Sequence, residues 1–192
     1  MTDWKKQQWC IKQHEDTNHM YDTYLPYTFH LRMVVQAYKD FKHLLPANLL
    51  TREDPCYHNS FETVDETQSA VEYACWGHDL IEDTRVSYND VEGKLGYNAA
   101  EIIYAVSNEK GKTRKERANE KYYEGIRNTP GAVFVKLCDR IANVQYSKMT
   151  KSRMFEMYKK ENENFTAQLG WIGTNDHPYF EMFTYLNNLF SE

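Results

Sequence analysis

The chain has 192 residues and a formal net charge of -5, with hydrophobic residues at 41% and charged residues at 27%. That length suits one well-packed domain over residues 1–192 rather than two, and the composition is that of an ordinary soluble globular protein. The negative balance argues against a duplex nucleic acid partner, so a phosphorylated ligand would need local cations or a metal. No apolar run approaches a membrane span, and the start Met1-Thr2-Asp3-Trp4 lacks an apolar signal core, so no membrane partner is expected. Cys10, Cys56, Cys75 and Cys138 form no C-x-x-C pair. Cys75 and Cys138 sit in apolar helical patterns as reduced core residues, which suits a cytoplasmic location.

Helical periodicity accounts for nearly every segment, so an all-α bundle is expected. Residues 4–14 read as a first helix and residues 14–25 as polar turns. Pro26 suits the first turn of a helix reaching about Leu45, with Phe29, Met33, Val34, Ala37 and Phe41 as its apolar stripe and His30 beside them. Residues 46–66 form a loop long enough to cover a site. A helix from about Glu66 to Glu82 follows. Its buried face, Ala70, Val71, Ala74 and Cys75, continues by helical steps to His78, Asp79 and Glu82. An imidazole and carboxylates turned into a core need a cation, and a divalent metal suits them. A buried His–Asp pair that only braces the helix is the alternative.

Ser87 is the expected N-cap of residues 88–95, which Gly96 stops. Asn98 with Glu101 reads as a capping box before Ile102, Ile103 and Val106. Residues 108–118 are strongly basic, either a phosphate-facing wall or a solvated loop. Thr129-Pro130-Gly131 is a turn before a helix over 132–149 that is apolar on nearly all sides. Asp139 in its middle needs a strong partner; Arg140 is splayed away, and a metal fits better. Asn143 shares the face of Asp139. Helices over 153–168 and from Asp176-His177-Pro178 onward complete the chain. His30, His78, Asp79 and Asp139 thus make two imidazoles and two carboxylates from three helices, enough to hold one divalent ion and leave room for water and substrate. Glu82 and Asp83, one turn past the His-Asp pair, are assigned to orienting or deprotonating the water. His19, His43, His58 and His177 lack ligand-like partners, and Tyr122-Tyr123 reads as packing.

The order His…His-Asp…Asp resembles the HD-domain phosphohydrolase superfamily, and longer segments resemble its RelA/SpoT-type alarmone hydrolases. Pro26-Tyr27-Thr28-Phe29-His30 is similar to P-Y-x-x-H, and His78 to Thr84 to H-D-x-x-E-D-T. Val106 to Lys110 is similar to V-[ST]-[DN]-[DE]-K, and Val135 to Asn143 to V-K-L-A-D-[RK]-x-x-N. The resemblance covers about residues 14–147 and leaves a helical C-terminal extension over 150–192; the length fits the small, hydrolase-only branch. It implies a compact helical HD-domain bundle and one Mn²⁺ on His30, His78, Asp79 and Asp139, a donor set that also suits Zn²⁺ or Fe²⁺. It implies that Glu82 and Asp83 activate water to remove the 3′-pyrophosphate of ppGpp or pppGpp. Asn143 would meet the nucleotide sugar, and Lys110 or Lys112 and Arg114 the phosphates. His14 would line the nucleotide pocket on position alone, since it falls where the family's H-x-x-Q-R begins.

Thr17 and Asn18 stand where that motif has Gln and Arg, and Val144-Gln145 follows Asn143 where an Arg is common. These departures leave the metal chemistry whole and the nucleotide open. An adenosine alarmone, a deoxynucleotide or a nicotinamide dinucleotide phosphate such as NADPH is the second reading. A non-catalytic nucleotide-binding regulator is the third, and the complete set with Glu82 and Asp83 argues against it. Assembly into a homo-oligomer is compatible with the sequence.

Overall fold

The organising element is a helix apolar on almost every side, and in the computed structural model it lies at the centre. Residues 3–46, 49–50, 64–108 and 111–191 are described. Their elements in order are α1 (Asp3–Asp16), α2 (Thr28–Phe41), α3 (Val64–Gly77), α4 (Leu80–Asp83), α5 (Tyr88–Leu95) and α6 (Tyr97–Val106). There follow α7 (Arg114–Arg117), α8 (Glu120–Asn128), α9 (Ala132–Met149), α10 (Met154–Gln168) and α11 (Phe180–Leu189). The fold is all-α, with no strand among the described residues. An isolated antiparallel bridge between Met20 and Pro26 pins the turn between α1 and α2. Most of the expected 46–66 loop lies outside the described residues. Among the described residues no helix is long and apolar enough to cross a membrane.

Phe134, Val135, Leu137, Cys138, Ile141, Ala142 and Val144 of α9 are all fully buried. α2, α3, α6, α8, α10 and α11 pack around them. Burial of each large apolar side chain here stabilises the fold by about 1.5–3 kcal/mol relative to exposure. The start of α9 depends on Gly131, whose φ of +86° is a left-handed conformation. A Cβ there would stand 2.9 Å from Ile102 Cδ1 of α6.

α2 buries Leu31, Val34, Val35, Ala37 and Tyr38, so its inward face is turned from the expected stripe, and Phe29, Met33 and Phe41 are only half-buried. Contact with both α3 and α9 widens the buried face beyond one stripe. Ser87 and Asp90 form the full capping box at α5. α6 instead begins after Gly96 with no side-chain cap, which places Asn98 in its first turn. α8 had no clear sequence signal, because its three buried residues, Tyr122, Tyr123 and Ile126, share a short helix with charged residues; Asn119 caps it by accepting from the Tyr122 amide.

The largest departure concerns the helix expected to reach Glu82. α3 ends at Gly77, and a separate turn, α4, carries Glu82 and Asp83. A Cβ at position 77 would lie 2.7 Å from Ile103 Cδ1, so the chain runs against α6 at the point where it turns. Neighbouring residues in a continuous helix point about 100° apart. Breaking the helix before His78 lets two consecutive side chains converge on one centre.

Candidate active site

α2, the α3–α4 junction and α9 each present polar side chains to a common buried point. His30 Nε2 and His78 Nε2 are 3.2 Å apart. Asp139 Oδ1 is 3.3 Å from His30 Nε2 and 3.8 Å from His78 Nε2. Ligand atoms of His30, His78 and Asp139 all lie within 4.8 Å of one another, and these three residues can hold a metal ion. The fourth expected ligand, Asp79, places Oδ2 2.8 Å from His78 Nε2 and also accepts a hydrogen bond from the Tyr27 hydroxyl.

The donor set fits a divalent cation on physical grounds. His78 Nδ1–H donates to the Cys75 carbonyl at 3.0 Å, which fixes the ring and turns Nε2 toward the centre. Burial works against charge on His78, but Asp79 and then Asp139 outweigh it and lift its pKa to about 9. Burial also opposes ionisation of Asp79, yet His78 holds its carboxyl below the usual range. Asp139 is held well below that range too: burial is outweighed by Lys136, then by His30 and His78. Lys136 Nζ stands 3.0 Å from Asp139 Oδ2. The strong partner required by a carboxylate inside α9 is therefore present in the chain one helical turn earlier. The adjacent Arg140 turns its guanidinium to Glu161 at 3.2 Å instead.

Asp79 and Asp139 form part of the wall of a cavity of about 660 Å³, which Glu82, Asp83, Asn108, Arg114, Arg117, Lys136, Arg140, Asn143, Tyr158 and Glu161 also line. Glu82 is held firmly. Asn108 Nδ2 donates to both its oxygens at 2.9 Å, and the Asn108 amide donates to Oε2 at 3.2 Å. Asp83 is freer, and its carboxyl is pushed up to about 7 by burial, then by Asp79 and Glu82. Two carboxylates adjacent in sequence thus have different properties, one anchored and one poised to exchange a proton near neutrality.

The remaining expected contacts are distributed unevenly. Asn143 lies on the cavity wall but donates to the Asp139 carbonyl at 3.1 Å and accepts from Tyr21 at 2.9 Å. Arg114 is on the wall, paired with Glu161 at 3.0 Å. Lys112 is exposed and off the wall, its amide donating to Glu116. Lys110 lies outside the described residues. His14 is 1% exposed near the end of α1 and does not itself line the cavity; it packs against His19 and against Tyr27, which does. The helix runs to Asp16 rather than ending at residue 14, which turns His14 inward.

Several site residues were not anticipated. Tyr21 stacks on His30 with centroids 4.7 Å apart, and Tyr27 bonds Asp79. Lys136 could have been found as a Lys three residues before a buried Asp in an apolar helix. Arg140, Tyr158, Glu161 and Phe165 form the far wall, with the Arg140 guanidinium 4.1 Å from the Phe165 ring centre. Their positions depend on packing of α10 against α9, which no local motif announces.

The described elements form an all-α bundle around the His30–His78–Asp139 group. The chain is 29% identical over 101 residues to the guanosine-3′,5′-bis(diphosphate) 3′-pyrophosphohydrolase MESH1 of Mus musculus, a match covering 51% of this chain and 56% of that protein. The MESH1 of Homo sapiens matches at the same identity over the same length, and that of Drosophila melanogaster is 28% identical over 79 residues. The matched stretch thus spans about half the length of these curated relatives. The fold is similar to that of a solved metazoan ortholog of SpoT that hydrolyzes ppGpp, with a TM-score of 0.67 at 19% identity, covering 98% of this chain and 93% of that one. No family model matches the chain.

Proposed function

We propose that the chain is a metal-dependent phosphohydrolase that removes the 3′-pyrophosphate of ppGpp or pppGpp, giving GDP or GTP and pyrophosphate. One observation carries the reading. The His30–His78–Asp139 group, with both imidazoles buried, opens through Asp79 and Asp139 into a cavity that holds Glu82, Asp83 and several cations. The names of the curated relatives supply the substrate class. His30, His78, Asp79 and Asp139 would hold the ion, Mn²⁺ first, with Zn²⁺ and Fe²⁺ as rivals for the same donors. When bound, it supplies Lewis-acid polarisation of a phosphoryl oxygen and of water.

The chain's own residues have separable tasks. Glu82, clamped by Asn108, accepts a hydrogen bond from the attacking water and fixes its line of approach. Asp83 takes the water's proton as the oxygen–phosphorus bond forms and the bond from phosphorus to the ribose 3′ oxygen breaks. The leaving oxygen then picks up a proton. Lys136 holds Asp139 in place from behind, and Arg114, Arg117 and Arg140 face the remaining phosphates. The free, buried Cys10, Cys75 and Cys138 support a reducing, cytoplasmic setting.

Purified chain loaded with Mn²⁺ should release pyrophosphate from ppGpp, and Asp79→Ala should abolish the release. A specific observation keeps a second substrate in play. Thr17 Oγ1 donates to the His14 carbonyl and His14 is buried, so the segment that departs from the family motif sends no cation into the cavity. Turnover of an adenosine alarmone, a deoxynucleotide or NADPH, with ppGpp untouched, would move the reading to that nucleotide. Tight nucleotide binding with no turnover in any divalent metal would make the chain a regulator.

A further inference from the structure

A histidine pair beside the site has no task in the scheme above. His14 Nδ1 and His19 Nδ1 face each other at 3.0 Å. Both rings stack on Tyr27, with centroids 4.6 and 3.9 Å away. Two ring nitrogens 3.0 Å apart have room for one proton between them, so one donates and the other accepts, and burial lowers the pKa of both imidazoles.

His14 Nε2 decides which. That atom is buried and has no hydrogen-bond partner. A buried N–H with no acceptor is a costlier orphan than a bare ring nitrogen. His14 therefore carries its proton on Nδ1 and donates it to His19 Nδ1. His19 must then carry its own proton on Nε2, the atom that stands 3.9 Å from Asp83 Oδ2. A shift of about 1 Å closes that gap to a hydrogen bond. The stack on Tyr27, with planes 14° apart, holds the imidazole, so the carboxylate is the partner that moves.

We infer that His19 is a positioning residue: its Nε2–H aims the Asp83 carboxylate at the attacking water, and His14 sets the tautomer that makes this possible. The inference rests on the reading above for the task of Asp83. It supplies what the paired carboxylates lack. Asn108 anchors Glu82, and His19 Nε2, 3.9 Å from Asp83 Oδ2, is placed to do the same for Asp83, which also feels the charge of Arg117. The arrangement has the logic of an orienting group behind a base, with the order of carboxylate and imidazole reversed.

Two measurements on the full chain test it. In metal-free protein labelled with ¹⁵N-histidine, ring nitrogen spectra should show His14 as the Nδ1–H tautomer and His19 as the Nε2–H tautomer. Asp83→Asn should shift the His19 Nε2 signal. A His19 proton on Nδ1 overturns the inference without reference to any activity. In kinetics with Mn²⁺ and ppGpp, His19→Phe keeps the stack but offers no donor; kcat should fall about tenfold while KM stays within about twofold. His19→Gln, which restores an N–H, should recover most of the loss. Adding His19→Phe to Asp83→Asn should slow the enzyme no further. Equal kcat for His19→Phe and the unsubstituted chain, or a His19→Gln loss as deep as that of His19→Phe, would overturn it. Correct tautomers in a chain that leaves ppGpp intact would instead overturn the proposed reaction.

Discussion

The floor of the cavity and its rim are built on opposite electrostatic plans. On the floor, Asp79, Glu82, Asp83 and Asp139 face Lys136 and Arg117, so negative charge is in excess before any ligand arrives. On the rim, Arg114 and Arg140 already share Glu161, and the Arg140 guanidinium lies over the rings of Tyr158 and Phe165. A floor with excess negative charge attracts a cation and holds it. A rim whose charges are already paired gives up one contact to make another, which suits a substrate that must leave after turnover.

Breaking the floor should have the largest effect. Asp139→Ala removes a proposed ligand and leaves the half-buried Lys136 to its hydrogen bond with Tyr122. Activity should fall roughly 10³-fold or more, as for loss of an essential group. Stability should fall as well, by less than the about 3–5 kcal/mol that a fully buried unpaired charge costs. Bound Mn²⁺ measured by elemental analysis, together with denaturant unfolding, checks both.

Next comes Asp83→Asn, expected to lower kcat by about 10²–10⁴-fold with metal content unchanged. The sign of the pH effect follows from the raised pKa. Asp83 accepts a proton only when ionised, so the unsubstituted chain should gain activity as pH rises through about 7 and lose it below. That rising limb should vanish in Asp83→Asn.

Asn108→Ala tests whether anchoring Glu82 matters. Two side-chain hydrogen bonds go and the amide remains, so a kcat loss of about 10–100-fold is expected, the scale of outer-shell positioning groups. The mildest change should be Glu161→Gln on the rim. Freeing Arg114 and Arg140 from a half-exposed pair should lower KM for a polyphosphate by about two- to fivefold with kcat constant. Loss of metal from Glu161→Gln would erase the distinction between floor and rim.

The same division governs how much could be read from sequence. His30, His78 and Asp139 were legible because each interrupts an apolar helical face, and a polar group in such a place needs a reason. α9 was legible over its full length for the same cause, as was the Ser87 cap. The break at Gly77 was not, because periodicity runs on to Glu82 while the turn is imposed by contact with Ile103 of α6. Nor was the rim. Arg140 and Glu161 are 21 residues apart, and their meeting depends on α10 lying along α9. His19 carries no sequence signal because its neighbours His14 and Tyr27 come from α1 and from the N-cap of α2. Position alone points His14 to the substrate, and α1, two residues longer than expected, buries it.

The contact between His78 Nε2 and Asp79 has a consequence for how the centre fills. Against the cost of burial, Asp79, 2.8 Å from His78 Nε2, lifts the imidazole's pKa to about 9 and so favours a second N–H there, beside the one given to Cys75. If His30, His78, Asp79 and Asp139 hold a metal ion, that second proton would have to leave before the nitrogen could serve as a ligand, and loading would be coupled to proton release. Apparent affinity should climb by about tenfold per pH unit until the imidazole is neutral on its own.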